Sequence, residues 1–275
     1  MPTRRRPGRS QNGFLKVVHR SGLGSLGKAF SMGMATLGLI VAFPPGTALA
    51  GPPFFSDDPE PAPYRHWEGY IASQYRRDQD GLAFTAPHFE VNYGVYPNLM
   101  LHLIAPFLRV KPEGEPSRHG YGDTELGLKS RFVQESGLRP MVGTFPLVEL
   151  PTGDEDKGLG NGKAQVFLPV WLQKSRGPWT SYGGGGYEIN PGPGNKNFWV
   201  GGAQAQREIF QGWILGAEAF HKTVDQEGGE SSTGFSIGTL VNFSETHHLL
   251  LSAGRDLQGP NRFSSYVAYQ VTFGP

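Results

Sequence analysis

Ionisable side chains recur at alternate positions in strand-like segments of this 275-residue sequence. Glu90, for example, lies between Phe89 and Val91. Since successive side chains of a β-strand point to opposite faces, these groups share one polar face. Such a face can select solutes by charge, or it can fill a narrow interior with paired charges, for example Glu125 with Lys129 or Arg131. The candidate residues for lining an enclosed lumen are Glu68, Glu90, His102, Glu125, Lys129, Arg131, Glu149 and Glu218.

Residues that could carry out catalysis or hold a metal do not form a recognisable set. The chain has no cysteine, which excludes thiol catalysis, disulfides and cysteine metal sites. His247 and His248 are adjacent, so on a strand they point to opposite faces and do not ligate one metal together. No G-x-S-x-G motif occurs. We therefore expect no enzyme activity, no metal and no cofactor.

The elements that position the polar face are predicted to be strands. Each segment is about ten to fourteen residues long, enough for a tilted strand that spans a membrane, which needs roughly nine to eleven. We place twelve of them near residues 66–76, 86–96, 98–110, 121–134, 139–151, 164–174, 179–190, 197–208, 212–223, 233–244, 247–257 and 262–273.

Alternation by itself fits both a membrane barrel and a soluble β-sandwich, and the links between segments favour the barrel. The first, fifth, seventh and ninth links are long and polar (RRDQDGLAFT, TGDEDKGLGNGK, NPGPGNK and VDQEGGESS), whereas intervening links such as YPN and SET are short. Long loops at one end and tight turns at the other are typical of outer-membrane barrels. The prediction is an all-β, antiparallel, up-and-down transmembrane barrel of about twelve strands, formed by residues 66–275.

The first fifty residues have the features of a cleaved signal peptide. They contain seven basic residues and no acidic residue, followed by an apolar run from Ala29 to Phe43. The run is shorter than the twenty or so residues that a membrane-spanning helix needs. Small residues at Ala48 and Ala50 match the positions that a signal peptidase reads, so we predict a signal peptide over 1–50. A signal anchor and a disordered basic arm are the alternatives.

The distribution of charge gives no reason to expect a nucleic-acid partner. Without the seven N-terminal cations, 18 basic residues face 24 acidic ones, so the remaining chain carries a net charge of about −6. Hydrophobic residues make up 37% and the mean hydropathy is −0.36. These values fit a soluble protein, but they also fit a membrane barrel, in which only every second strand residue faces lipid.

The segment after the predicted cleavage site, residues 51–65, is rich in proline and acidic residues and is called the leader below. Proline disfavours both helix and central strand, so the leader is predicted to lie outside the barrel wall. One hypothesis is that Phe54 and Phe55 enter the lumen as a plug and pack against the four glycines at 183–186. The plainer interpretation of those glycines is a strongly bent strand.

The C-terminal segment and the expected surroundings complete the membrane interpretation. Tyr269 and Phe273 lie in the last predicted strand, and outer-membrane barrels resemble one another in ending on an amphipathic strand with an aromatic residue near the terminus. The expected location is the outer membrane of a Gram-negative cell. The expected partners are outer-membrane lipid and lipopolysaccharide, the barrel-assembly machinery and a small-molecule solute.

Several stretches resemble the outer-membrane transporter family named for the MetA pathway of phenol degradation. The similarity covers nearly all of residues 51–273. It implies an outer-membrane barrel of the transporter type, associated in some members with the catabolism of aromatic compounds, and it brings no catalytic residues. The segments that carry it are GPPFFSDDPEP, HFEVNYGV, YGDTELGLKSRF, PLVELPTGD, GLGNGKAQVFLPVWLQKS, GPWTSYGGGGYEINPGPGN and NFSETHHLLLSAGR.

The sequence thus predicts a channel through which small solutes, including hydrophobic or aromatic ones, diffuse passively across the outer membrane. A non-conducting barrel with a structural or lipid-interacting role is the first alternative. A soluble periplasmic β-protein is the second alternative, and it requires the charged faces of the strands to point outward into water.

Overall fold

The computed structural model describes residues 53–275. The predicted signal peptide, with Ala48 and Ala50, lies outside these residues. The described part of the chain has one short 3-10 helix, Glu155–Lys157, and fourteen strand segments. In chain order they are β1 (Trp67–Asp78), β2 (Gly81–Tyr96), β3 (Leu99–Pro112), β4 (Arg118–Tyr121), β5 (Thr124–Val133), β6 (Met141–Thr144), β7 (Leu147–Leu150), β8 (Gln165–Arg176), β9 (Trp179–Ile189), β10 (Phe198–Phe210), β11 (Trp213–Lys222), β12 (Ser232–Asn242), β13 (His247–Gln258) and β14 (Phe263–Phe273).

These segments build a closed antiparallel barrel of twelve wall strands, which confirms the predicted fold and strand number. β4 and β5 are two parts of one wall strand, because both pair with β3. β6 and β7 form another, because both pair with β5 and β8. The last strand, β14, pairs with β1, so the sheet has no free edge.

Both interruptions have a local cause. Between β6 and β7 stands Pro146, which has no N–H to donate to a ladder, and Phe145 beside it is buried inside the barrel. Between β4 and β5, the carboxylate of Asp123 accepts hydrogen bonds from the backbone N–H groups of Gly153 and Asn161, at 2.8 and 2.7 Å. The second interruption therefore holds the loop that follows β7.

The two faces of the wall have the polarity of a membrane barrel. Apolar side chains point outward and are exposed, such as Ile71, Leu103 and Val170, whereas polar side chains such as His88 and Gln270 are buried inside. A soluble sandwich has the opposite arrangement. Within the described residues, no helix is long and apolar enough to cross a membrane.

Aromatic side chains lie at both ends of the wall strands, as in the girdles of membrane barrels. At one end Trp67 stacks on Tyr93 at 4.2 Å between ring centroids, and Phe273 lies 6.3 Å from Trp67. At the other end Tyr187 and Trp199 are 5.0 Å apart. Two such belts flank the apolar band, which suits a wall embedded in lipid.

The links between strands agree with the sequence at three of the predicted long loops, 151–164, 190–197 and 223–231. We call the end that carries them the long-loop end and the opposite end, with two-residue links such as 97–98, the short-turn end. The first predicted long link is wrong, since β1 and β2 continue to Asp78 and Gly81, which pair directly. Its polar residues alternate as strand residues do, so this hairpin extends further than the loop-like composition indicated.

Candidate functional site

The leader runs inside the barrel, contrary to the expectation that it lies outside the wall. It enters at the short-turn end, where Tyr64 forms a bridge with Gly94 on β2 and the N–H of Arg65 donates to the carbonyl of Gly94 at 2.7 Å. The backbone N–H of Ala62 then faces the sulfur of Met100 on β3 at 3.2 Å. From there the chain crosses the lumen to the opposite wall.

Acidic residues of the leader pair with two cations of β5. The Nζ of Lys129 lies 2.9 Å from a carboxylate oxygen of Asp57 and 3.8 Å from one of Asp58. A guanidinium nitrogen of Arg131 lies 3.4 Å from a carboxylate oxygen of Glu60. Lys129 and Asp58 are almost fully buried, so these pairs hold the leader where water competes weakly.

Glu218 on β11 binds the other end of the leader. One of its carboxylate oxygens accepts the backbone N–H of Phe55 at 2.9 Å, and the other accepts the N–H of Ser56. Ser236 donates its hydroxyl to the same carboxylate at 2.9 Å. Glu218 thus orients the leader turn, and hydrogen bonds to a charged group are stronger than neutral ones.

Phe54 and Phe55 both lie in the lumen, and the glycines on which Phe54 packs are not the predicted ones at 183–186. The ring of Phe54 packs on Gly216 and Gly238, where an added Cβ would stand 2.8 and 2.9 Å from its Cζ atom. Phe55 lies 5.0 Å from Phe220 between ring centroids and is 48% exposed to the interior. The prediction therefore named the wrong glycines for Phe54, since its ring packs on β11 and β12.

A hydrogen-bonded network occupies the wall near β1, β2 and β3. The two ring nitrogens of His102 lie 2.6 Å from the amide oxygen of Asn92 and 2.9 Å from a carboxylate oxygen of Glu125. The amide nitrogen of Asn92 donates to Glu90 at 3.0 Å and to Glu68 at 3.2 Å. Four candidate residues are therefore joined through Asn92, which was not among the predicted lining residues.

The pairing predicted for Glu125 is wrong. Glu125 pairs with His102, while Lys129 and Arg131 pair with the leader. The reason is spacing: all three residues lie on β5, and four strand residues span roughly 13 Å. Glu149 stands directly opposite Glu125 on β7, so the two share the inner face, and Glu149 makes no ion pair among the described residues.

Two apolar clusters fill further space inside the wall. One is formed by Tyr70, Ala72, Ile214, Leu240, Leu250, Tyr266 and Ala268. The other is formed by Ala62, Met100, Phe145 and Trp171, with Leu147 and Phe167 against it. The second cluster includes a leader residue, so the leader belongs to the packed interior.

The long loops are tied to one another at their end of the barrel. The amide of Asn195 donates to Asn161 at 3.0 Å, which joins the loops 190–197 and 151–164. The backbone N–H of Glu227 donates to the carbonyl of Gly194 at 2.8 Å, which joins the third long loop to the second. These bonds make the three loops one connected unit.

Comparison with known proteins identifies the family. A family profile described as "Putative MetA-pathway of phenol degradation" matches residues 71–273. The chain belongs to this family. No curated protein sequence matches the chain.

Solved structures share the barrel of this family member. An outer membrane channel from Pseudomonas putida matches with a TM-score of 0.64 and 18% identity, over 78% of this chain and 98% of that one. The KdgM porin in complex with disordered oligogalacturonate matches with a TM-score of 0.52 and 8% identity, over 74% and 99% of the two chains. The NanC porin gives 0.52 and 8%, over 74% and 98%.

At these identities the likeness establishes the fold of the phenol-degradation family member, and the polarity of its wall agrees with the location of these neighbours in the outer membrane. The predicted C-terminal residues lie on the outer surface: Phe273 pairs in register with Trp67, and the hydroxyl of Tyr269 lies 2.9 Å from a ring nitrogen of His247.

Sequence reasoning missed the leader acids as partners of the lumen. Lys129 and Arg131 were two cations on an inner face with no acid at a suitable distance on the same strand, and the leader offers Asp57, Asp58 and Glu60. Charge complementarity between an unpaired inner face and a free acidic segment was the available signal.

Proposed function

We propose that this protein is an outer-membrane channel for passive diffusion of small solutes, and that the leader controls how open its lumen is. The observation that carries the proposal is a closed wall with a polar interior, crossed by a segment of chain that belongs to no strand. A barrel serving only to be embedded in lipid has no need of buried charges on its inner face, since burial of charge is costly.

The solutes proposed are small and include hydrophobic or aromatic compounds. Phe55 offers an aromatic face to the interior and is backed by Phe220. Such a face binds aromatic rings in offset or tilted stacks. No chemical step and no cofactor is part of the proposal: passage depends on pore shape and on the inward side chains.

The leader acts as a plug in this proposal. Its ion pairs to Lys129 and Arg131 and its bonds to Glu218 span the lumen between β5 and β11, which are far apart in the barrel order. Solutes therefore pass beside the leader or after it has moved. Removing it should leave the wall intact, because the strands pair with each other through their own ladders.

The test is conductance of the purified protein in planar bilayers, with and without residues 51–63. We expect small or infrequent current steps for the complete mature chain and larger steps for the deletion. Heat-modifiable migration on gels is the control that both barrels are folded. Equal conductance of the two chains would contradict the plug, and absence of steps in both would contradict the channel.

A non-conducting barrel with a structural or lipid-interacting role is the second candidate. It is favoured by the leader and the two apolar clusters, which all occupy the interior. Swelling of liposomes in a small neutral sugar and in a small neutral aromatic alcohol separates the two candidates. The channel predicts entry of solute, faster for the deletion, whereas the structural barrel predicts none for either chain.

A further inference from the structure

Three buried polar side chains form a row across neighbouring strands of the inner wall. Gln173 on β8, Tyr182 on β9 and Gln204 on β10 occupy directly paired positions in the two ladders that join these strands. Their exposed fractions are 4%, 4% and 3%. Directly paired residues of antiparallel strands share a face and lie about 5 Å apart. The three side chains therefore form one continuous polar strip, called the oxygen row below.

The leader passes over this row. Ser56 lies against Gly202 on β10, with its hydroxyl too close to leave room for a Cβ on that glycine. Four residues later, Glu60 accepts a hydrogen bond from the amide of Gln173 on β8 at 3.3 Å. Asp58 is midway between Ser56 and Glu60 in the chain, so it lies over β9, the strand between β8 and β10. Ser56 and Asp58 are 1% and 0% exposed.

Along this crossing, five buried oxygens have no hydrogen-bond partner among residues 53–275, and neither has the indole nitrogen Nε1 of Trp171, two residues before Gln173 on β8. The side-chain amide nitrogens of the row already donate hydrogen bonds: that of Gln204 donates to Gln206 at 2.9 Å, and that of Gln173 donates to Glu60. Buried polar atoms in proteins are nearly always satisfied, so this group points to a bound partner. The five oxygens are Ser56 Oγ, Asp58 Oδ2, Gln173 Oε1, Tyr182 Oη and Gln204 Oε1.

The chemistry of the five atoms defines the partner. Two amide oxygens and a carboxylate oxygen only accept hydrogen bonds, so the partner must donate or be a cation. The surrounding charge is negative, because Asp57, Asp58, Glu60 and Glu218 outnumber Lys129 and Arg131. Hard cations bind oxygen ligands of this kind.

The small number of carboxylates favours a monovalent ion. Calcium sites draw on several carboxylates, and no group of three or more His, Cys, Asp or Glu residues that could hold a metal occurs in residues 53–275. Asp58 is the single carboxylate in the set, and its cationic neighbour Lys129 lies nearer to Asp57, at 2.9 Å against 3.8 Å. We propose that Ser56, Asp58 and the oxygen row bind a small alkali cation, Na⁺ or K⁺, between the leader and the wall.

The cation would fasten the leader on the side where it has no ion pair to the wall. A ligand that binds only the docked arrangement stabilises that arrangement in proportion to its concentration. The proposed cation site does not depend on which solute passes through the lumen, so it can be tested independently of the proposed function.

The experiment measures thermal unfolding of the complete mature protein in detergent, by heat-modifiable migration, at constant ionic strength. Chloride salts of Na⁺ and K⁺ are compared with the chloride of N-methyl-D-glucammonium, which is too bulky for a gap between neighbouring side chains. We expect a midpoint that is higher by a few degrees in an alkali cation and that saturates with its concentration.

Two variants locate the effect. Tyr182→Phe removes one of the five oxygens with almost no change of volume, and Gln204→Leu removes another. The double variant is expected to unfold at the same temperature in all three salts. Gln270→Leu is the matched control, because Gln270 is a buried lumen glutamine that donates to Tyr70 at 2.8 Å, away from the row. It should keep the alkali dependence.

The proposal is overturned if the wild-type midpoint is the same in the alkali and organic salts. It is also overturned if the alkali dependence survives in the double variant, since the cation would then bind elsewhere.

Discussion

The leader meets the inner wall in two different ways. Towards β5 and β11 it is held by charge, through Lys129, Arg131 and Glu218. Towards β8, β9 and β10 it faces the neutral oxygen row, from which, among residues 53–275, it accepts one hydrogen bond, donated by the amide of Gln173 to Glu60. Lys129 and Glu218 are as deeply buried as the oxygen row, so for them the difference lies in chemistry and not in exposure.

This difference indicates that the two sides of the leader contribute unequally to its docking in the lumen. Charged pairs in a poorly hydrated interior are specific in geometry, and removing one partner leaves an uncompensated charge. The neutral oxygens of the row hold the leader less strongly, because neutral hydrogen-bonding groups contribute less than charged ones and the proposed cation binds them reversibly. The charged contacts should therefore dominate the stability of docking, and substitutions there should have the largest effects.

The largest effect is expected from Lys129→Met. The substitution leaves Asp57 and Asp58 buried without their cation, which costs about 3–5 kcal/mol when one partner of a buried pair is lost. The leader should undock, since its acids then reach water. In a Ser56→Cys background the chain has no other cysteine. Maleimide labelling at that position, buried in the docked leader, should be faster by about a hundredfold or more.

A triple variant sharpens this prediction. Adding Asp57→Asn and Asp58→Asn to Lys129→Met removes the uncompensated charges, so most of the extra labelling should disappear. If Lys129→Met leaves the labelling rate unchanged, the ion pairs do not hold the leader and the contrast between the two contacts fails.

A smaller effect is expected from Phe54→Ala. The ring packs on Gly216 and Gly238 next to the charged contact at Glu218, and it is only partly buried. Loss of this apolar contact is worth roughly 1–3 kcal/mol. Labelling in the same cysteine background should be about tenfold faster. Phe55→Ala is the comparison, because the more exposed Phe55 ring contributes less, and an equal effect of both would contradict packing on the two glycines.

Much of the fold was predictable because it depends on alternation. Leu101 and Leu103 face lipid on either side of the inward His102, and this pattern sets both the strand and its faces. The break at Phe145 and Pro146 was less visible, since a single proline does not show whether a strand ends or continues after it.

The sequence predicts which residues point into the lumen, but it does not predict which of them pair with one another. The inner residues of each strand followed from periodicity, whereas the partner of Glu125 depends on which strands are neighbours in the barrel and on their register. The oxygen row shows this most clearly. Gln173, Tyr182 and Gln204 have no common spacing in the sequence, and only the register of three strands brings them together.

The smallest effect is expected from Arg131→Gln, although Arg131 also forms an ion pair with the leader. Its distance to Glu60 is 3.4 Å and both side chains are partly exposed. Pairs of this kind contribute about 0–1 kcal/mol. The guanidinium is also bound to Asn98, at 2.9 and 2.7 Å, so much of its environment does not involve the leader. Labelling should rise by less than about fivefold, and a change as large as that of Lys129→Met would show that burial does not rank the two ion pairs.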